Sequence, residues 1–120
     1  MFKEFDSLYV ETSLNSFKDI FSEYFSDKSK WEIRTLDDFY ISVNKKDQEV
    51  TDSLFIYVKD SKDISHKVID FEMVFEETYN LFFTNPPKAN QREILRTIVL
   101  EIKDKIEKDE KMNETSQQSQ

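Results

Sequence analysis

Apolar and polar residues alternate along this chain with two different periods, and the points where the period changes mark its elements. Leu8 and Val10 alternate with polar neighbours and predict a short strand. Over residues 12–27 the period lengthens: Leu14, Phe17, Phe21, Tyr24 and Phe25 fall on an i, i+3, i+4 ladder with Ile20 beside them, which predicts an amphipathic helix. Thr12 or Ser13 supplies an N-cap oxygen for a free backbone N–H. From Trp31 the period returns to two. Trp31 and Ile33 alternate, then Phe39, Ile41 and Val43 alternate against Asp38, Tyr40, Ser42 and Asn44. Turns are expected at Leu36-Asp37-Asp38 and at Asn44-Lys45-Lys46-Asp47-Gln48. Leu54, Ile56 and Val58 then line one face of a strand and Phe55 and Tyr57 the other, and a strand apolar on both faces belongs at the centre of its sheet.

Residues 68–83 fit both periods. Ile69, Phe71, Met73 and Phe75 alternate with Asp70, Glu72, Val74 and Glu76, while Phe71, Val74, Phe75, Tyr79 and Phe82 fit a helical stripe. Their β-branched and aromatic content favours two strands joined near Glu76-Glu77. After Asn85-Pro86-Pro87 a long helix is predicted, with Asn90 and Glu93 as a capping box and Ile94, Leu95, Ile98, Val99, Ile102 and Ile106 as its buried stripe. Glu101 with Lys105, Asp104 with Lys108 and Glu107 with Lys111 are i, i+4 pairs in the favourable order. The expected architecture is one α+β domain over residues 1–108, an antiparallel sheet packed with an N-terminal helix and a long C-terminal helix. Such a sheet can also curl into a small barrel. A polar, disordered tail is expected over 109–120.

Composition removes whole classes of chemistry. The 120 residues include no Cys and no Gly. Disulfides, thiolate metal sites and thiol nucleophiles are excluded, as are phosphate loops, dinucleotide fingerprints and nucleophile elbows, whose backbones need residues without Cβ. The aromatic share of 14% lets a chain with 35% charged residues still build a core. An acid close to the N-terminus and the lack of any long apolar run predict neither a secretory signal nor a membrane span, and hence a cytoplasmic location. A net charge of −8 repels nucleic acid and anionic membrane on average, so attachment to either requires a local basic patch.

Two such patches exist. Lys28, Lys30, Trp31 and Arg34 interleave cations with an aromatic, a pattern suited to single-stranded nucleic acid, and equally to a core Trp at a strand's start. Lys88, Arg92 and Arg96 at i, i+4 and i+8 make one stripe on the last helix, where a phosphate or acidic partner would offset the macrodipole; the plain reading is a solvated helix face. Asp70, Glu72 and Glu76 form an acidic strip able to imitate a phosphate backbone and occupy a basic cleft on a nuclease or DNA-binding protein, or simply to keep a sheet face wet. His66, the single histidine, has only Asp60 and Asp63 nearby as further metal ligands, and an exposed turn explains all three. Asp37-Asp38 and Glu76-Glu77 are adjacent acids; neighbours on a strand point to opposite faces and are not pre-arranged as a dyad. No metal site, cofactor or catalytic residue is therefore expected, and the residues point to a binding protein of unspecified oligomeric state.

In the segment Met1-Phe2-Lys3-Glu4-Phe5-Asp6-Ser7-Leu8-Tyr9-Val10, in its length and in its final helix, the chain resembles the PrgU family, small regulators carried on enterococcal pheromone-responsive conjugative plasmids. The resemblance implies a PUA-like, RNA-binding type of fold and a role in restraining expression of plasmid-transfer and surface-adhesin genes. The expected partner is RNA or a regulatory protein.

Overall fold

In the computed structural model of the protein, the structure describes the backbone of residues 2–11, 17–46, 51–63, 65–76 and 88–118, and the side chains of 3–11, 17–46, 52–63, 65–76 and 91–110. Five strands carry the period-two segments: β1 Phe2–Glu11, β2 Trp31–Leu36, β3 Tyr40–Lys46, β4 Thr51–Asp60 and β5 His66–Phe75. Helix α1, Lys18–Tyr24, lies between β1 and β2 in the chain, and α2, Lys88–Gln118, follows β5. The strands form one antiparallel sheet in the order β1-β5-β4-β3-β2. It is α+β, and it is open. Strands β1 and β2 stand at opposite edges and do not pair, so the alternative of a small PUA-like barrel is not realised.

Both helices pack on the same side of the sheet. Leu8 and Val10 of β1, Trp31 of β2, Ile41 and Val43 of β3, Leu54, Ile56 and Val58 of β4 and Ile69, Phe71, Met73 and Phe75 of β5 all point to that side. They meet Phe17, Ile20, Phe21 and Phe25 from the first helical region and Leu95, Ile98, Val99, Ile102 and Ile106 from α2. The central placement of β4 agrees with its two apolar faces. Its second face, however, meets no other layer among the described residues.

Three local departures from the periodic pattern have physical causes. Strand β1 is longer than Leu8 and Val10 suggest, because full-length pairing with β5, from Phe2↔Phe75 to Glu11↔His66, overrides the polar Glu4 and Asp6 on its inner side. Phe39, expected to line the core with Ile41 and Val43, sits in the β2–β3 turn and is 63% exposed. That turn closes by a bond from the Asp37 N–H to the Tyr40 carbonyl (3.0 Å). Helix α1 occupies only part of the 12–27 stripe, and the proposed caps Thr12 and Ser13 lie outside the described residues. It ends at Tyr24; just beyond, the Asp27 carboxylate accepts the Ser29 N–H (2.9 Å) and hydroxyl (2.6 Å), a local turn that competes with helix continuation.

The first part of the ambiguous 68–83 segment is strand, as the β-branched content indicates; residues 77–83 lie outside the described residues. Helix α2 starts at Lys88, two residues before the predicted Asn90 cap, and extends to Gln118 through the segment read as a polar tail. Its Lys, Glu and Gln residues favour helix, and no Gly or Pro interrupts it. Two polar ties fix α2 against α1. The Tyr24 hydroxyl donates to Glu101 Oε2 (2.5 Å), and Lys105 Nζ bonds Glu23 Oε1 (3.1 Å), so Glu101 and Lys105 serve the helix–helix contact and not each other. Asp104 and Lys108 make the expected i, i+4 pair at 3.0 Å. Among the described residues no helix is long and apolar enough to cross a membrane.

Burial separates the residues of α2 sharply, which gives a direct check. Ile102 is fully buried while Leu100, two positions away, is 46% exposed. Chemical denaturation of Ile102→Ala is expected to show a loss of about 2–5 kcal/mol. Leu100→Ala is expected to stay within about 0.5 kcal/mol of the parent.

Candidate functional site

The hairpin register of β2 and β3 gathers cations at the second edge of the sheet. Trp31 pairs with Lys45, and the pairing continues one step beyond β2, where the Lys46 N–H donates to the Lys30 carbonyl (2.8 Å). Lys46 Nζ donates to the Lys28 carbonyl (3.0 Å), folding the 28–30 turn onto the end of β3. Lys28, Lys30, Lys45 and Lys46 thus surround Trp31. None of the four makes an ion pair with a described carboxylate, although the charge of Lys30 reaches Asp27. The Asp27 carboxyl is held below the usual carboxylate range, first by the Ser29 hydroxyl and backbone N–H and then by Lys30.

Trp31 itself is core. Its ring meets Phe25 edge-on at 4.8 Å and lies 6.3 Å from Tyr24, so it offers no free face for a stacking base. Its edge forms the floor between two surface grooves. One, of about 530 Å³, has Lys30 and Lys45 on its walls together with Tyr24, Glu93, Thr97 and Glu101. The other, of about 440 Å³, is lined by Lys28, Lys46, Phe25, Ser26, Glu32 and Ile33. Glu101 is occupied by the Tyr24 hydroxyl. Burial, then the hydrogen bond to Glu101 and its negative charge, push the Tyr24 phenol well above its ordinary pKa, so it remains a donor at any physiological pH. Arg34 is exposed at the bulge between Ile33 and Thr35, about 10 Å further along β2, where it extends the cationic edge.

The second basic stripe lies elsewhere. Arg92 and Arg96 line a groove with Phe5 and Asp6, on the β1 flank of α2, whereas Thr97 faces the Trp31 groove on its other flank and Glu93 borders both. The two predicted clusters are therefore not joined. Arg96 Nη1 is held by Asp6 Oδ2 at 3.1 Å, which leaves Arg92 as the unpaired cation of that stripe among the described side chains. Lys88 opens α2, and its side chain lies outside the described residues.

Asp70 and Glu72 stand on the helix-free face of β5, and their charge is already met. Lys59 Nζ lies 3.0 Å from Asp70 and Lys3 Nζ 3.5 Å from Glu72, both as diagonal cross-strand pairs. Ser7 donates its hydroxyl to Asp70 (2.8 Å). Burial works to raise the Asp70 pKa, but the hydrogen bonds from Lys59 and Ser7 and the Lys59 charge outweigh it, and the carboxyl lies below its usual range. Glu76 is exposed just past β5, with its N–H donating to Asp52 (3.1 Å). The acidic strip is thus two compensated carboxylates and one outlying one, a poor imitation of a phosphate row.

His66 is explained locally. Its ring stacks on Tyr9 at 4.7 Å, and Nδ1 lies 3.0 Å from both the Asp63 carboxylate and the Ser65 hydroxyl. Asp60 pairs with Lys67 instead. Among the described residues no three His, Asp or Glu side chains converge on one point. Of the adjacent acids, Asp37 accepts the Asp38 N–H (2.7 Å) in the β2–β3 turn, and Glu77 lies outside the described residues.

Lys45 and Lys46 are the site residues that the linear pattern misses. They read as part of a polar turn, and only the β2–β3 register places them opposite Trp31 and Lys30. No family model, curated protein or solved structure matches this chain.

The Asp70 pair makes a pH prediction with a definite sign. A carboxyl whose folded pKa is depressed stabilises the fold above the ordinary value of 3.8, and that contribution disappears as pH falls through the folded value. In Lys59→Met, an NMR titration of the Asp70 carboxyl carbon is expected to show an upward shift towards 3.8, and stability to depend less steeply on pH in the acid range. An unchanged titration would remove Lys59 as the cause.

Proposed function

We propose that this protein is a non-enzymatic regulator that binds single-stranded RNA along the cationic β2 edge, with Lys28, Lys30, Lys45 and Lys46 as its phosphate contacts and Arg34 extending the track. The observation that carries the reading is the gathering, around one tryptophan, of four lysines that make no ion pair among the described residues, on a chain whose net charge is −8. A cluster that survives against such a mean field concentrates the attraction for polyanions at one place. Two grooves of several hundred cubic ångströms beside it give the backbone of a single strand a seat. Because Trp31 is buried, affinity in this reading comes from phosphate contacts and is strongly salt-dependent, with little base discrimination.

The PrgU resemblance supplies the biological setting of the proposal: a cytoplasmic protein of a conjugative plasmid that restrains transfer and surface-adhesin genes by acting on transcripts. The alternative of an acidic inhibitor at Asp70, Glu72 and Glu76 is not favoured, because Lys59 and Lys3 already occupy two of the three carboxylates.

A fluorescently labelled oligouridine measures the interaction directly. Lys28→Glu combined with Lys30→Glu is expected to weaken binding at least tenfold at low salt. The slope of log affinity against log salt should fall by about 1.4, from roughly 0.7 per phosphate contact on a single strand. The circular dichroism spectrum should not change, since both side chains are exposed. Unchanged affinity and slope would sink the proposal, and a larger loss from Arg92→Glu would move the site to the β1 flank of α2.

A further inference from the structure

The sheet has a second face, and of the proposed RNA contacts only Lys46, at the end of β3, lies on it. On that face β1 presents Lys3, Phe5, Ser7 and Tyr9, β5 presents Val68, Asp70, Glu72 and Val74, and β4 and β3 present Phe55, Tyr57 and Tyr40. No described element covers it. Phe5 is 68% exposed, Tyr9 59% and Tyr57 37%, and Tyr57 leans on Tyr40 at 5.2 Å. Single exposed apolar residues are ordinary, but rings on β1 and on the neighbouring strands β4 and β3, set on either side of the paired Asp70 and Glu72 of β5, make a contact surface.

We infer that this helix-free face is an interface between two copies of the chain, packed sheet on sheet about a two-fold axis. The inference is independent of the RNA proposal and rests on size and charge. At about 3.3 Å per residue and 4.8 Å between strands, the five strands expose a face of about 700 Å². A stable standard-size interface needs about 800 Å² from each partner, so the face matches that requirement with its rim included. Its middle has the composition of an interface centre, with Phe and Tyr rings between small polar groups and paired charges, while Glu11, Glu32 and Lys46, which have no described ion-pair partner, lie at its margins. The charge balance selects the occupant. Two copies of a −8 chain repel each other, and they can meet only where charge is cancelled locally. The Lys3–Glu72 and Lys59–Asp70 pairs do this on the open face. A polyanion would instead meet two carboxylates there, and a basic partner would find both already taken. A neutral aromatic surface of this shape is complementary to itself, and two such sheets pack about 10 Å apart with their strands near −30°.

Light scattering with sedimentation equilibrium tests this on the full chain. The expected mass is twice 14.5 kDa. Phe5→Glu and Tyr57→Glu place charges on the face without disturbing buried atoms, and each should raise the dimer dissociation constant at least about thirtyfold, the effect of one interface hot spot. Phe39→Glu, at an equally exposed ring in the β2–β3 turn, should leave the dimer intact and serves as the control for surface charge in general. Thermal unfolding of each variant, matched to the parent once its dimer linkage is allowed for, shows that the monomer is folded. A wild-type mass of 14.5 kDa at all concentrations overturns the inference, as does a Phe5→Glu, Tyr57→Glu double variant that dimerises like the parent. So does a monomeric wild type in which those two changes abolish oligouridine binding, which would make the face a stacking platform for nucleic acid.

Discussion

One-sided burial governs this molecule. The buried inward residues of the five strands meet α1 and α2 on the same side, so the sheet is half of a two-layer sandwich whose second layer is helical. The contact of α2 with the β1–β5 part of the sheet, through Leu95, Ile98, Val99, Ile102 and Ile106, is what makes this possible without glycine or disulfides. The polar ties from Tyr24 to Glu101 and from Lys105 to Glu23 then orient α1 beside it. With both helices committed to one side, the opposite side and the two edges are left for function.

The two edges diverge because different elements pass over them. Along β1, α2 lies close enough for Arg96 to reach Asp6, so the cations there are partly spent on the fold. Along β2, the 28–30 turn and the end of β3 meet instead, and their lysines bond backbone carbonyls or nothing described. Charge that is free to meet a ligand therefore gathers on the β2 edge, although the linear spacing makes the α2 stripe look equally suitable. On the open face the opposite holds, since cross-strand lysines cancel Asp70 and Glu72 and leave aromatic rings as the dominant chemistry.

The elements were legible in the sequence wherever burial is one-sided and regular. The alternations in β3, β4 and β5 and the Ile-rich stripe of α2 each stand out because one face repeats its apolar residues without interruption. Strand β1 was legible only in its second half, because Glu4 and Asp6 occupy inward positions beyond the helices' full cover, and a polar inward residue erases the period. The openness of the sheet was not readable, since closure depends on whether β1 reaches β2, which no local pattern encodes. The candidate edge was half legible: Lys28, Lys30 and Arg34 flank Trp31 in sequence, whereas Lys45 and Lys46 join it only through hairpin register. The compensation of Asp70 and Glu72 was invisible for the same reason, because their partners Lys59 and Lys3 are 11 and 69 positions away and diagonal across strands.

The most direct test of the account is a map of where a single strand touches the protein. Amide chemical-shift perturbation on adding oligouridine should concentrate at residues 28–31 and 45–46, with weaker changes at Arg34 and none at Phe5, Tyr57 or Asp70. Perturbation centred on the open face, or along Arg92 and Arg96 with the β2 edge silent, would contradict it.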